Sequence, residues 1–579
     1  MGNMGSYEEA HKGFTWDKAR EILGYKDGDP LNIGYYCTGR IVEQGKGDKT
    51  ALIWEGHGGE VKTYTFRDLD INSNTYAAYL KSLGIEQGDR VCVYMDKIPD
   101  LYFGFLGVLK LGAIVQPLFS AFGEESLHIL YTGAFKVLSL HTRMESAGSK
   151  AILTTKKHYR KVRRIADQLP ELEHIIVVDD ESAKLKDKEK IFILEKAEKV
   201  ESFPIAKTGP ESPSLLHYTS GTTGKPKGAK HVHSSIVMQH LTTKWVLDLK
   251  DDDIYWCTAD PGWVTGTSYG IIGPWSLGVT QVIYDGGFGA AKWYEVLQNH
   301  KVTVWYTAPT AIRLLMKDGT ELVKQHDLKH LRHMCSVGEP LNPEGVLWGK
   351  EAFGMPFYDT YWQTETGSQM ICNYPGMKVK PGSMGRPFPG IEATVLDLEK
   401  HTVVEEPNTV GLIAIKPPWP SIMREYWKQP DKYESKFING WYITGDRASI
   451  DDDGYFWFVG RDDDVINTGG HLVGPFEIES ALVEHEAVAE AAAVGKPDKV
   501  NMEVVKAFIT LKPGYTFDGD LELKIMNFIR KRLSPLAMPQ EIECLEKLPK
   551  TRSGKIMRRL LRAQEWGEEI GDTSSLSDE

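Results

Sequence analysis

Short apolar runs alternate with longer amphipathic stretches through most of the chain, and that alternation predicts layered α/β architecture. Val91, Cys92, Val93 and Tyr94 make a run too short for a helix and read as a buried strand. Residues 101–111 follow with helical spacing, and 114–118 return to a strand. The same alternation recurs around 282–284 and 302–306, so a substantial parallel sheet is expected. From 390 to 415 the pattern shortens to brief strands and turns, which predicts a small β-barrel-like subdomain completing a large domain. Lysine-rich residues 184–199 read as a solvated surface segment. No convincing internal repeat is present.

The acidic triplet Asp462, Asp463 and Asp464 marks the best boundary. Beyond it, 475–484 read as helix, 488–494 and 504–511 as strands, and 521–533 as an amphipathic helix. The expected fold class is therefore α/β: a large N-terminal domain of layered α/β subdomains (1–462) and a smaller mobile C-terminal α+β domain (463–579). A chain of 579 residues is too long for one ordinary core, which fits that division.

Composition narrows the function classes. A net charge of −12 argues against nucleic-acid binding, so any basic surface is local and serves a small polyanion. The six cysteines, Cys37, Cys92, Cys257, Cys335, Cys372 and Cys544, lack metal or redox spacing and read as reduced, mostly buried thiols, which fits a cytoplasmic protein. No apolar run is long enough to span a bilayer. The opening MGNMGS matches an acylation pattern formally, a short and common pattern read here as chance.

The candidate chemistry starts at residues 218–229, YTSGTTGKPKGA. Gly221, Gly224 and Gly228 let the backbone turn tightly, while Thr219, Ser220, Thr222 and Thr223 crowd hydroxyls into the same turn. Lys225 and Lys227 add charge, so the loop reads as a phosphate cradle fed by a short buried strand through Leu215, Leu216 and Tyr218. It is not the common P-loop, because Lys225 is followed by Pro226 rather than Ser or Thr. Glu365, a lone carboxylate between Thr364 and Thr366, suits Mg²⁺, a hard ion that prefers oxygen.

Four further motifs follow in order: YDTYWQTETG (358–367), WYITGD (441–446), Gly460-Arg461 and PKTRSGK (549–555). The series resembles the adenylate-forming superfamily, most closely the AMP-forming acetyl-CoA synthetases and their short-chain acyl relatives, from about Phe14 to about Leu561. That resemblance implies acetate, ATP and CoA as substrates, Mg²⁺ as the metal, and no nucleic-acid or membrane partner for a monomer or small homo-oligomer. Gly338, Glu339 and Pro340 would line the adenine pocket with Asp359, Thr360, Tyr361, Trp362, Gln363 and Thr364. Asp446 would accept the ribose hydroxyls, Arg461 would help hold the nucleotide, and Lys555 would swing onto the α-phosphate and carboxylate. Asp463 would centre a hinge about which the small domain rotates between half-reactions.

By the same resemblance Trp362 closes the floor of an acyl pocket walled by Val264, Thr265 and Val337, sized for acetate. Arg160, Arg163 and Arg530 would meet the 3′-phosphate of CoA, Gly469 and Gly470 would let pantetheine pass, and Thr265 and Ala308 join the cofactor-binding set. The carbonyls of Val483, His485 and Val488 would hold a second magnesium ion. Two departures stand out. Where the family reads Ser-Gly-His-Arg this chain has Gly469, Gly470, His471 and Leu472, which removes one phosphate cation and is expected to favour running the reaction in reverse. Residues 131–141 look like an insertion. The rival readings are another short-chain (propionyl) or aryl acyl-CoA synthetase, and a degenerate nucleotide-binding regulator.

Overall fold

The computed structural model describes residues 2–120, 139–182, 188–219, 226–468, 471–498, 501–551 and 555–568. The core of the large domain consists of two long sheets flanked by helices. One is nine-stranded and the other eight-stranded, and most of their neighbouring strands run parallel. The alternating segments read from the sequence fall into them: Arg90–Tyr94 and Ile114–Pro117 lie in the eight-stranded sheet around helix Pro99–Lys110, Thr280–Asp285 and Val304–Thr307 in the nine-stranded one. Their strands are apolar on both faces because helices cover both, as parallel sheets require.

A third, antiparallel five-stranded sheet follows, built from Ala393–Leu396, Gly411–Ile415, Phe437–Ile438, Trp441–Ile450 and Phe456–Arg461. It occupies the place where a small β subdomain is expected. The last of its strands ends at Arg461, and the acidic turn leads into a C-terminal sheet with helices Pro475–Glu484, Gly519–Arg532 and Arg558–Trp566. The turn is pinned rather than loose: the N–H of Asp462 donates to the Gly445 carbonyl at 2.9 Å, and Arg447 Nε donates to Asp462 Oδ1 at 2.6 Å.

One expectation is corrected. Within the lysine-rich segment Glu189–Ile191 is an edge strand, and Phe192 and Leu194 are buried in the main core. Among the described residues Lys196 and Lys199 are exposed while the interleaved Phe192 and Leu194 pack, a pattern the charge run hides. At the N-terminus the Asn3 N–H donates to Asp248 at 2.6 Å, and the Asn3 amide donates to the carbonyls of Lys244 and Leu249 at 2.9 Å each. Five cysteines are buried and Cys544 is half-buried, all as free thiols. Residues 131–138 of the apparent insertion lie outside the described residues.

The large and small domains meet at helix Pro343–Phe353. Asn342 stands at its N-cap, yet its amide donates instead to Ser480 Oγ of the small domain at 2.6 Å. Beside it Glu344 is pushed up to about 7 by burial, with a further push from Glu484 across the interface; Arg532, 2.7 Å from Glu484, acts in the opposite direction. A carboxyl raised in the docked state binds its proton more tightly there, so docking is favoured at low pH and that contribution is lost as pH rises from 4.5 through about 7. Glu344→Gln is expected to flatten this dependence. Limited proteolysis of the 462–466 turn at pH 5.5 and 8 reads it out, and an unchanged pH ratio in the variant contradicts it.

Candidate active site

Four parallel strands of the nine-stranded sheet, Ile254–Cys257, Val304–Thr307, His333–Val337 and Phe357–Tyr361, are successive neighbours and end together. The crevice beyond the carboxyl ends of parallel strands is where open α/β sheets take ligands. Ala308, Gly338 and Trp362 are the residues just past three of those ends, so topology gathers them from distant sequence. Gly338 has φ of 97°, a left-handed turn that lets the chain leave the strand and present Glu339 and Pro340. Glu339 is held by Arg313 Nη2 at 2.6 Å and by the Thr310 hydroxyl at 2.5 Å; these partners outweigh burial and hold its carboxyl below the usual range. Asp359 is 5% exposed and pushed up to about 7 by burial, against the Ser336 hydroxyl at 2.6 Å.

Asp446 and Arg461 sit directly opposite each other on antiparallel strands. Tyr361 OH and Gln363 Nε2 both donate to Asp446 Oδ2, at 2.7 and 2.6 Å, which fixes the carboxylate against the 359–364 segment. Arg461 donates to Asp463 Oδ1 at 3.1 Å, so the nucleotide-side arginine touches the acidic turn itself. Thr360 is buried and donates to the Ser336 carbonyl at 2.7 Å; it braces the two strands rather than facing the crevice.

Of the phosphate cradle, Thr219 ends strand Pro213–Thr219 and Lys227 opens the antiparallel strand Lys227–Val232. Ser220, Gly221, Thr222, Thr223, Gly224 and Lys225 lie outside the described residues. Lys227 Nζ stands 5.6 Å from the centre of the Tyr426 ring, whose hydroxyl donates to Glu365 Oε1 at 2.8 Å. Glu365 is half-buried, and its Oε2 takes no hydrogen bond from the described residues. One free carboxylate oxygen near Lys227 fits Mg²⁺, which takes one or two carboxylates plus phosphate and water. Among the described residues no cluster of three or more His, Cys, Asp or Glu is placed to hold a metal.

Lys555 arrives from the small domain. Its N–H donates to Thr551 Oγ1 at 3.0 Å, and its carbonyl accepts from the Thr551 N–H at 2.7 Å, which ties Lys555 to Thr551. It lines an interdomain cavity with Arg313, Glu339, Pro340, Asn342 and Arg558. The residue as a whole is exposed, yet its ammonium is crowded: loss of water lowers its pKa first and the Arg461 charge second, while Asp446 and Glu339 pull it back. The small domain thus delivers its lysine to the pair that holds Asp446 and Glu339.

The acyl-pocket candidates converge as well. Trp362 meets Tyr269 edge-on, ring centroids 5.1 Å apart, in one apolar cluster with Val337 and Tyr306. Tyr269 is itself fixed, its hydroxyl accepting the Gln369 N–H at 2.8 Å and sharing a hydrogen bond with Thr242 at 2.8 Å. Val264 and Thr265 open the short helix Val264–Thr267, which runs directly into the segment carrying Tyr269.

The proposed CoA and second-metal residues are less gathered. Arg160 and Arg163 lie on helix Lys156–Ile165; Arg160 is exposed, but Arg163 forms a bidentate pair with buried Glu189 at 2.8 and 2.7 Å. A phosphate ligand at Arg163 must share or displace that pair. Arg530 is exposed on Gly519–Arg532. Gly469 and Gly470 lie outside the described residues. Val483, His485 and Val488 bracket the end of helix Pro475–Glu484, where the His485 carbonyl already accepts the Val488 N–H at 3.0 Å.

Sequence reading missed Arg313, Tyr426, Asn342, Lys432 and Lys436. Each acts by touching or facing a site residue from a distant position, and single surface-type residues carry no motif that betrays this.

Two family models match the chain: AMP-binding enzyme over residues 40–427 and AMP-binding enzyme C-terminal domain over 477–555. The chain belongs to the AMP-binding enzyme family. Among curated relatives, the acetyl-coenzyme A synthetase of Bacillus subtilis (strain 168) is 46% identical over 580 residues, spanning 100% of this chain and 98% of that one. Among solved structures, a Brucella canis acyl-CoA synthetase is 32% identical with a TM-score of 0.74, covering 97% and 99% of the two chains. An anthranilate CoA ligase in complex with anthranoyl-AMP is 28% identical with a TM-score of 0.82, covering 93% and 97%.

Proposed function

We infer that this chain is an AMP-forming acetyl-CoA synthetase, joining acetate to CoA with conversion of ATP to AMP and diphosphate. The single observation that carries the reading is the meeting of Lys555, from the small domain, with Glu339, Asp446 and Arg461 of the large one. A carboxylate is a poor electrophile; linked to the α-phosphate of ATP it gains AMP as a leaving group. Acetate oxygen attacks the α-phosphorus, the bond from that phosphorus to the bridging oxygen breaks, and diphosphate leaves. Negative charge spreads over phosphate oxygens in that step, so cations and donors placed in a dry cleft do the catalytic work.

In this scheme Asp446 holds the ribose, its carboxylate preset by Tyr361 and Gln363, and Gly338 to Pro340 flank the adenine. Lys555 neutralises the α-phosphate and orients acetate against the Trp362 floor. Mg²⁺, with Glu365 as its protein ligand, would neutralise phosphate charge. CoA thiolate then displaces AMP after the small domain, 463–579, turns about Asp463. Breaking the Arg461–Asp463 contact is the local event this rotation requires.

Acetate-dependent exchange of labelled diphosphate into ATP, without CoA, tests the reading. Exchange that requires acetate and Mg²⁺ supports it; its absence in active-folded protein overturns it and favours a degenerate nucleotide-binding protein.

A further inference from the structure

The short helix Pro430–Glu434 carries Lys432, and Lys436 immediately precedes the strand Phe437–Ile438; no motif marks either lysine. Their scaffold is firm. The Tyr433 ring packs 5.0 Å from Phe437, Phe437 packs 5.8 Å from Tyr442, and the Tyr442 hydroxyl donates to Gln363 Oε1 at 3.0 Å. The Lys436 N–H donates to the Tyr433 carbonyl at 3.0 Å, and its own carbonyl accepts the Ile443 N–H at 2.7 Å. Lys436 is thereby tied to the same glutamine that fixes Asp446.

Its ammonium points toward the nucleotide strand. Lys436 Nζ lies 3.8 Å from where a Cβ on Gly445 would sit, beside the residue preceding Asp446. Across from it Lys227 has its pKa lowered by burial first, then by the charges of Lys436 and Lys432, while Glu365 acts in the opposite direction. Among the described residues none of these three lysines is in an ion pair with a carboxylate. Lys227 and Lys436, held on fixed backbone with only Glu365 as a partial counter-charge, repel one another, a cost that a bound polyanion reverses.

We propose that Lys436 joins Lys227 in a receiving site for the diphosphate that leaves the α-phosphorus. The proposal rests on the adenylation reading above and deepens it. When the bond between α-phosphorus and bridging oxygen breaks, its electron pair stays on that oxygen, so the diphosphate gains one negative charge as it departs. Lys555 serves the α-phosphate end of this displacement. Lys436, beside Gly445, and Lys227, over the Tyr426 ring that bonds Glu365, serve the leaving-group end, and both stand in the large domain where the turning of the small one does not remove them.

The test compares full-length Lys436→Met and Lys436→Arg with wild type. Loss of one charge-assisted phosphate contact is worth about tenfold. Lys436→Met is expected to raise the KM for diphosphate in the exchange reaction about tenfold and the KM for ATP in the same direction, while the KM for acetate and thiolysis of supplied acetyl-AMP stay within about twofold; Lys436→Arg restores most of the loss. An unchanged diphosphate KM, or an equal loss in thiolysis, overturns the proposal. If wild type shows no exchange, the adenylation reading fails separately. Calorimetric binding of inorganic diphosphate then still decides the lysines: weakening by Lys436→Met supports the site, and equal affinity rejects it.

Discussion

Lys555→Ala is expected to lower acetate-dependent diphosphate exchange by about 10²–10³-fold, the cost of deleting one preorganised charge donor from a transition state. Thiolysis of supplied acetyl-AMP is expected to stay within a few-fold, because in the proposed scheme that step follows the turning of the small domain and needs no cation on the α-phosphate. The split matters more than the size. A misfolded variant would lose both half-reactions, whereas the crowded ammonium between Glu339, Asp446 and Arg461 predicts loss of one. The depressed pKa adds a signature: the lysine acts as a cation, so adenylation should fail at a lower alkaline pH than the ordinary lysine value of 10.5 would set. Stopped assays of each half-reaction across pH read both effects, and equal losses in the two would contradict the assignment.

Trp362→Gly is expected to move substrate preference from acetate to acids several carbons longer. The indole, proposed as the floor of the acyl pocket, is held edge-on by Tyr269, which two hydrogen bonds keep in place. Its neighbours therefore have little room to collapse into the space it leaves, and a cavity there accepts alkyl chain instead. Each methylene accommodated is worth about 1–3 kcal/mol, or about 10–200-fold in relative kcat/KM. Acetate turnover should fall as the small acid loses its wall. A variant that keeps the wild-type preference, from acetate to hexanoate, would show that another surface sets chain length.

The large-scale fold was legible because its signals are local. Val91 to Tyr94, Ile114 onward and the helix between them declare themselves by length and periodicity, and the helix at Pro475–Glu484 starts on a proline at its first turn. The main site motifs were legible for a related reason: Gly338 marks a left-handed turn at a strand exit, and Gly445 takes the left-handed conformation inside strand Trp441–Ile450, directly before Asp446. What sequence could not give was convergence. Arg313 on Glu339, Tyr426 on Glu365 and Lys436 against Gly445 each join positions that only the packing of sheets brings together. The Arg163–Glu189 pair illustrates the opposite case, a guanidinium that reads as a phosphate ligand by its resemblance to a family Arg-x-x-Arg and is found engaged by a buried carboxylate of the edge strand.

Attack of acetate oxygen on the α-phosphorus leaves a signature in the products. With both carboxylate oxygens of acetate labelled as ¹⁸O, mass spectrometry of the products of one turnover with ATP and CoA should find one ¹⁸O in AMP and none in diphosphate. Label in diphosphate or inorganic phosphate, or unlabelled AMP, would mean that the cleft between Lys555 and Asp446 does not direct the acid to the innermost phosphorus.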